Sequence, residues 1–342
     1  MDKGIAKFSE LVLRSQKILI TSHISPDPDA LCSVLLLGTT LKTNFPDKII
    51  KMILEEKPSG DLSFLGGYDQ LDFGPVLEAT QEFEPGLFVI VDAMNFERVS
   101  RSAGAKLRTY VNEELKSVTA IIDHHTDASR DQAAVYLNRR QPATAQELYQ
   151  LCFKDLSWQK PPGYAETALM GIITDTNRFR YDHQHYHQTF SIVSELIEAG
   201  ASIEQLENRL ERYSLGQLRA FANLAKNTRD SGLGYAYSYI DDDYDMGDSN
   251  DLSEFKLACE LYASQFLRNI GDCQWGFLVY PELVDGTKTY SVSFRSMSGV
   301  MDVAAIAAKL GGGGHKQAAG AKRLSGKTVG EAVETVQAAI AG

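Results

Sequence analysis

The stretch VTAIIDHHTDA, residues 118–128, decides the fold. Its first half is a short run of apolar and β-branched residues, which predicts a strand buried on both faces. Its second half sets an acid and two histidines, Asp123, His124 and His125, directly at the strand's end. Either a polar loop merely starts there, or the strand end holds something charged. The pattern recurs upstream. KILITS (17–22) runs into His23, and LFVIV (87–91) runs into Asp92. KIIKMILEE (48–56) is a further strand with weaker punctuation, and ALCSVLLLGTTLK (30–42) reads as a helix. Such apolar strands alternating with helices predict an α/β protein whose first domain is a mainly parallel, doubly wound sheet. Ligands of these sheets bind beyond the carboxyl ends of the strands, where His23, Asp92 and Asp123 fall. YAETALMGIITDTNRF (164–179) differs: Ala165, Leu169, Ile172 and Ile173 recur at helical spacing, so this segment is a helix delivering Asp175.

A chain of 342 residues is comfortable for two domains, and 44% hydrophobic with 23% charged residues is ordinary for a soluble globular protein. No apolar run reaches the roughly 20 residues a bilayer span needs. The amphipathic N-terminus, MDKGIAKFSELVLRSQ, lacks the apolar core of a signal peptide. A cytoplasmic protein without membrane partners is expected. Cys32, Cys152, Cys259 and Cys273 have no paired spacing, which suggests neither a disulfide framework nor a zinc knuckle. The net charge of −11, from 34 basic and 45 acidic side chains, argues against binding duplex nucleic acid, whose phosphates must be neutralised. It leaves room for a short phosphorylated ligand in a local pocket.

Three regions are expected: a domain over 1–188, a charge-laced helical connector over 189–230 broken at Gly200, and a smaller mixed α/β domain over 231–342. In the last, a helix at about 251–269 precedes a hairpin, WGFLVY and TYSVSF, joined around Asp285-Gly286. Trp275, Phe277 and Tyr290 of the hairpin read as core. Asp302 can cap VAAIAAKL, the glycines 311–314 follow, and Thr328 with Glu331 can form a capping box for the last helix. His183, His185 and His187 lack accompanying acids or cysteines and read as surface rather than as a second metal site.

The densest stretch is SHISPDPDA (22–30), where His23, Asp27 and Asp29 share a loop stiffened by Pro26 and Pro28. Its bland reading is an Asp-Pro turn with Asp29 as helix N-cap. The joint pattern outweighs that reading. Separate elements end in Asp or His at positions a parallel sheet brings to one edge. Carboxylates clustered without a counter-ion would be strongly destabilising, so they diverge or share metal. With imidazoles mixed in, two divalent cations fit, one carboxylate bridging them. Such oxygen-rich sites suit Mn²⁺, with Mg²⁺, Co²⁺ or Zn²⁺ as substitutes. Two metals about 3.5–4 Å apart are suited to in-line attack of water on a phosphate ester.

SHISPDPDA, VIVDAMN, IIDHHTDA and GIITDTNRFRY together resemble the motifs of the DHH phosphoesterase superfamily. GGGGHKQAAGA (311–321), with SFRS (293–296) before it, resembles the DHHA1 substrate-binding domain. The likeness spans nearly the whole chain and is greatest to the branch of short-oligoribonucleotide nucleases and pAp phosphatases. It implies that His23, Asp27 and Asp92 hold one metal, that Asp29, Asp92, His124 and Asp175 hold the other, and that Asp92 bridges. His125 would face the scissile phosphate, and Asp123 would orient an imidazole. Arg295, Ser296, Gly312, Gly313, Gly314 and His315 would bind the end of the nucleotide away from the metals, with Arg180 as a further phosphate contact. Implied substrates are short single-stranded RNA, dinucleotides and pAp; cyclic di-AMP or linear pApA is the rival, and a catalytically weak nucleotide-binding module is another. A homodimer is compatible with the resemblance. One departure is Pro28, where the family usually has glycine; proline suits that position only if its φ is near −65°.

Overall fold

Along β1 (Lys17–Thr21), Ile18 and Ile20 enter one core and Leu19 enters another, as the period of two in a pleated strand requires. That alternation sets the two layers of helices around the sheet. A computed structural model describes residues 2–342 except 59–60, 94, 126–132, 181–183, 211, 246–248, 285–286 and 325. The chain divides into two units, Met1–Glu211 and Arg212–Gly342. The division falls within the segment read as a connector.

In the first unit, β1 joins β2 (Ile49–Leu54), β3 (Leu71–Phe73), β4 (Leu87–Val91), β5 (Thr119–Ile122) and β6 (Val135–Leu137) in the order β3-β2-β1-β4-β5-β6. Every pairing is parallel. The core on one face is built with α1 (Lys3–Arg14), α2 (Pro28–Asn44), α5 (Thr144–Tyr149), α6 (Tyr164–Asp175), α7 (Tyr186–Glu198) and α8 (Ile203–Leu210). On the other face α3 (Val76–Phe83) and α4 (Gly104–Tyr110) cover Leu19, Phe88, Ile90 and Ile121. The α/β class and doubly wound sheet expected from the sequence are therefore present. Strand order reverses between β1 and β4, and the crevice beyond their carboxyl ends is where such folds bind ligands.

One boundary differs from the sequence reading. Helix α2 starts at Pro28 because the Asp27 carboxylate accepts from Ala30 N at 3.0 Å. Asp27, not Asp29, is thus the N-cap, and Pro28 occupies the first helical position, where its fixed φ is favoured and its missing N–H costs nothing. Helix α6 ends at Asp175, as the sequence reading expects, because Asn177, Arg178 and Phe179 turn left-handed, with φ of 47°, 58° and 60°.

The second unit has α9 (Leu215–Asn227), α10 (Ser249–Gln265), α11 (Val303–Lys309) and α12 (Val329–Ala341). Its mixed sheet contains β7 (Arg229–Asp230), β8 (Ala236–Tyr239), β9 (Trp275–Val284), β10 (Thr287–Ser296), β11 (Gly313–His315) and β12 (Ala318–Leu324). The order is β11-β12-β10-β9-β8-β7. β9 and β10 form the expected hairpin, whose turn at Asp285-Gly286 lies outside the described residues. Trp275, Phe277 and Tyr290 are buried in it. Asp302 caps α11, accepting from Ala305 N. Thr328 caps α12, but Glu331 accepts from Lys327 N at 2.6 Å, so the capping box is only half formed. Gly313–His315 is an edge strand against β12, not a loop. All the cysteines are free and buried. Among the described residues no helix is long and apolar enough to cross a membrane.

Candidate metal centre

The ends of β1, β4, β5 and α6 converge on one acidic crevice. His23, Asp27 and Asp92 form one donor group, and Asp29, His124 and Asp175 form another; within each group the ligand atoms lie within 4.8 Å of one another. Asp92 faces both. Its Oδ2 is 3.6 Å from His23 Nε2, and its Oδ1 is 3.5 Å from His124 Nε2. His124 Nε2 is also 3.2 Å from Asp175 Oδ2. Asp92 adopts φ of 53°, a left-handed conformation that aspartate tolerates better than most residues. Its N–H still donates to Ile122 O at 2.9 Å, so the turn is anchored to β5.

Local hydrogen bonds decide which nitrogen of each imidazole is free. His23 Nδ1 lies 2.8 Å from Ile24 O, and His124 Nδ1 lies 3.1 Å from Gln141 O. A carbonyl can only accept, so both Nδ1 atoms carry the proton and both Nε2 atoms are left as donors of a lone pair. Asp27 divides its oxygens: Oδ1 caps α2, while Oδ2 sits 3.8 Å from His23 Nε2. Asp29 is 1% exposed and accepts from Thr144 N at 2.7 Å and Ala145 N at 3.0 Å. Gly171 of α6 makes room for it, since a Cβ there would lie 2.5 Å from Asp29 Oδ1.

Burial and the neighbouring carboxylates of Asp92, Asp175 and Asp27 push the Asp29 carboxyl well above its usual range. Burial, together with Asp92 and Asp27, raises Asp175 to about 7. Burial would raise Asp92 as well, but His23, His124 and His125 outweigh it and hold the carboxylate near 2. The donor set is thus short of positive charge, and its mixture of carboxylates and Nε2 atoms fits a divalent cation of the oxygen-and-imidazole class. The arrangement has the donors to hold metal.

His125 joins neither of the two groups that contain Asp27 and Asp175 but forms a third with Asp92 and His124. Its Nδ1 is 2.8 Å from Asp123 Oδ1 and 3.7 Å from Asp92 Oδ1. Burial alone would depress this imidazole, but Asp123 and Asp92 raise it to about 9. Asp123 is fully buried and its Oδ1 also accepts from His124 N at 2.9 Å. The imidazole that Asp123 orients is therefore that of His125, while a backbone carbonyl orients the neighbouring His124.

Thr144, Gln141 and Gly171 escaped the sequence reading. Thr144 Oγ1 donates to Asp92 Oδ1 at 2.9 Å. Gly171 opens the GIITDTNRFRY stretch, but all three act through contacts made across the fold, which the sequence does not show. His183 lies outside the described residues, and neither His185 nor His187 joins a donor group among the described residues. Arg180 is exposed just beyond the left-handed turn.

The second unit contains a pocket of about 690 Å³ lined by Arg295, Gly311, Gly312, Gly313, Gly314 and Ser293, with Glu260, Lys322 and Arg323 among the others. The Arg295 guanidinium is braced by Ser264 Oγ at 3.1 Å and Ser293 Oγ at 2.9 Å. The glycines serve different ends. A Cβ on Gly312 would lie 2.1 Å from Gly320 O, so packing requires glycine there, whereas Gly313 has open space around it. His315 is exposed on β11 and is not among the lining residues. Ser296 is not among the residues lining the pocket. It is fully buried, and its hydroxyl donates to Met297 O and accepts from Met301 N, which fixes the following turn.

Residues 17–172 match the family described as DHH family, N-terminal domain. The chain is 28% identical over 342 residues to the bifunctional oligoribonuclease and PAP phosphatase NrnA of Mycoplasma pneumoniae, covering 99% of this chain and 97% of that one. It is 27% identical to the protein of the same name from Bacillus subtilis, covering 90% of each. Its fold is similar to the crystal structure of an exopolyphosphatase-related protein from Bacteroides fragilis, with a TM-score of 0.79, 21% identity, and coverage of 100% of this chain and 98% of that one.

Proposed function

We propose that this chain, whose residues 17–172 match the N-terminal domain of the DHH family, is a metal-dependent phosphoesterase of short nucleotides. It hydrolyses short oligoribonucleotides to nucleoside monophosphates and removes the 3′-phosphate of pAp. The observation that carries this reading is Asp92, whose two oxygens face different donor groups. His23, Asp27 and Asp92 hold one divalent cation, and Asp29, Asp92, His124 and Asp175 hold a second, with Mn²⁺ the preferred ion. Such a pair, when bound, lowers the pKa of a water and offsets charge on the phosphoryl oxygens.

The chain's own groups do the rest. Hydrolysis forms a phosphorus–oxygen bond from water and breaks the bond to the leaving oxygen, which needs a proton. His125, whose Nδ1 is held by Asp123, is the group placed to give one from Nε2. Asp123, hydrogen-bonded to Nδ1, aims that proton and keeps the ring from turning. Arg295 and the glycine backbone line the pocket of the second unit, and a guanidinium beside backbone N–H groups suits a phosphate or a nucleotide end. The printed names of the bacterial relatives support the substrate class. The net charge of −11 supports short substrates over duplex nucleic acid.

Turnover of pAp, a 5′-phosphorylated dinucleotide, a longer RNA, cyclic di-AMP and pyrophosphate with Mn²⁺ or Mg²⁺ tests the proposal. Release of AMP from pAp and of mononucleotides from the dinucleotide, with little from the longer RNA, is expected. Preferred cleavage of cyclic di-AMP would move the reading to the cyclic-dinucleotide class. No turnover of any substrate, with retained nucleotide binding, would leave a binding module. In Asp92→Ala, turnover is expected to vanish while the fold is retained.

A further inference from the structure

The sheet order places β2 and β4 on either side of β1, so the loops leaving those two strands flank the loop that carries His23 and Asp27. Midway along that loop, Ser25 is left-handed, with φ of 51°. Serine does not favour this conformation, and nothing in the loop's own sequence selects it. The selection comes from the flanking loops. Glu56, just beyond β2, accepts from Ser25 N at 3.0 Å and from Ser25 Oγ at 3.1 Å through its Oε2. Arg101, beyond β4, donates from Nη2 to Ser25 Oγ at 3.0 Å and from Nε to Glu56 Oε1 at 2.8 Å. Its own N–H donates to Glu55 Oε1 at 2.9 Å. Ile24 N donates to Arg98 O at 2.7 Å, a further tie between the loops that follow β1 and β4.

We infer that Glu56 and Arg101 are positioning residues that clasp Ser25 and so hold His23 and Asp27 in their ligating geometry. Neither belongs to a donor group. Arg101 is 62% exposed, and a pair so exposed adds little to global stability. Its effect lies in the shape of one loop. The inference rests on the two-cation reading above, and it concerns only the cation held by His23, Asp27 and Asp92. The cation held by Asp29, His124 and Asp175 is braced instead by Thr144 N, Ala145 N and Gln141 O.

The test is Mn²⁺ binding to the full-length protein without substrate, followed by electron paramagnetic resonance of the free ion, with thermal unfolding in parallel. Glu56→Ala is expected to weaken one of two Mn²⁺ equivalents by about ten-fold or more, the usual effect of losing a group that orients a ligand. The other equivalent and the unfolding temperature are expected to stay close to wild type. Glycine accepts the left-handed conformation without a clasp, so adding Ser25→Gly to Glu56→Ala is expected to restore much of the lost affinity. Unchanged binding of both equivalents in Glu56→Ala would overturn the inference while leaving the two-cation reading intact. Equal weakening of both, with a fallen unfolding temperature and no rescue by Ser25→Gly, would also overturn it, because the pair would then serve the fold. A wild-type protein that binds no Mn²⁺ would remove the two-cation reading and the clasp together.

Discussion

The Thr144 hydroxyl donates to Asp92 Oδ1 at 2.9 Å, so the carboxylate facing both donor groups is oriented by a residue that belongs to neither. Thr144 is fully buried at the start of α5. Replacing it by valine keeps the shape and removes the hydroxyl, leaving its N–H on Asp29. Mn²⁺ affinity is expected to fall about 10- to 100-fold, and Thr144→Ser is expected to retain most of it. Calorimetric titration of the two variants checks this.

Metal and pH should act together on stability. Asp175 in the folded, metal-free protein titrates near 7, above the roughly 3.9 of an unfolded aspartate. His125 titrates near 9, above an unfolded histidine's roughly 6.5. In both cases the folded state binds more protons between the two values, so stability falls as pH rises through each window. Thermal unfolding of the chelated protein is expected to show decreasing stability from pH 5 to 9. Mn²⁺ should therefore raise the unfolding temperature more at pH 8 than at pH 5, since protons compete for the same donors.

Pro28 sits at the first position of α2, next to the Asp27 cap. Its ring pre-sets the backbone angle the helix needs and narrows the unfolded ensemble. Pro28→Gly is expected to cost about 1 kcal/mol of stability and to leave Mn²⁺ binding close to wild type. A gain in metal affinity on going to glycine would show that the proline distorts the loop.

Neighbouring glycines in the second unit should respond oppositely to one methyl group. Gly312→Ala places a Cβ 2.1 Å from Gly320 O, and the strain is expected to cost about 1–3 kcal/mol in denaturant unfolding. Gly313→Ala meets open space and should change stability by less than about 0.5 kcal/mol. Because Gly313 lines the pocket, the methyl is expected to raise KM for pAp with little change in kcat.

What the sequence disclosed follows from how locally each feature is determined. β1, β4 and β5 have apolar centres and are followed closely by a chemically distinctive residue, and both signals are local. The edge strands β3 and β6 are each 3 residues long, too short for any period to show. β12 is alanine-rich, and its extended conformation comes from pairing with β10 and β11 rather than from its own preference. At the candidate centre the donors were legible because few other roles put acids and imidazoles at the ends of buried strands. The residues that hold them, Thr144, Gln141, Gly171, Glu56 and Arg101, were not. Each is an ordinary residue type made significant by a partner far away in the chain.

The donors of the centre are spread from His23 to Asp175, and the last of them is delivered only when α6 has formed. A chain emerging from the ribosome already displays His23, Asp27, Asp29, Asp92 and His124 while still lacking its final carboxylate. Domains fold as units, N-terminal part first, during synthesis. A product truncated ahead of Asp175 therefore carries an acidic crevice that lacks its last carboxylate, although most of the sheet that frames it is already made.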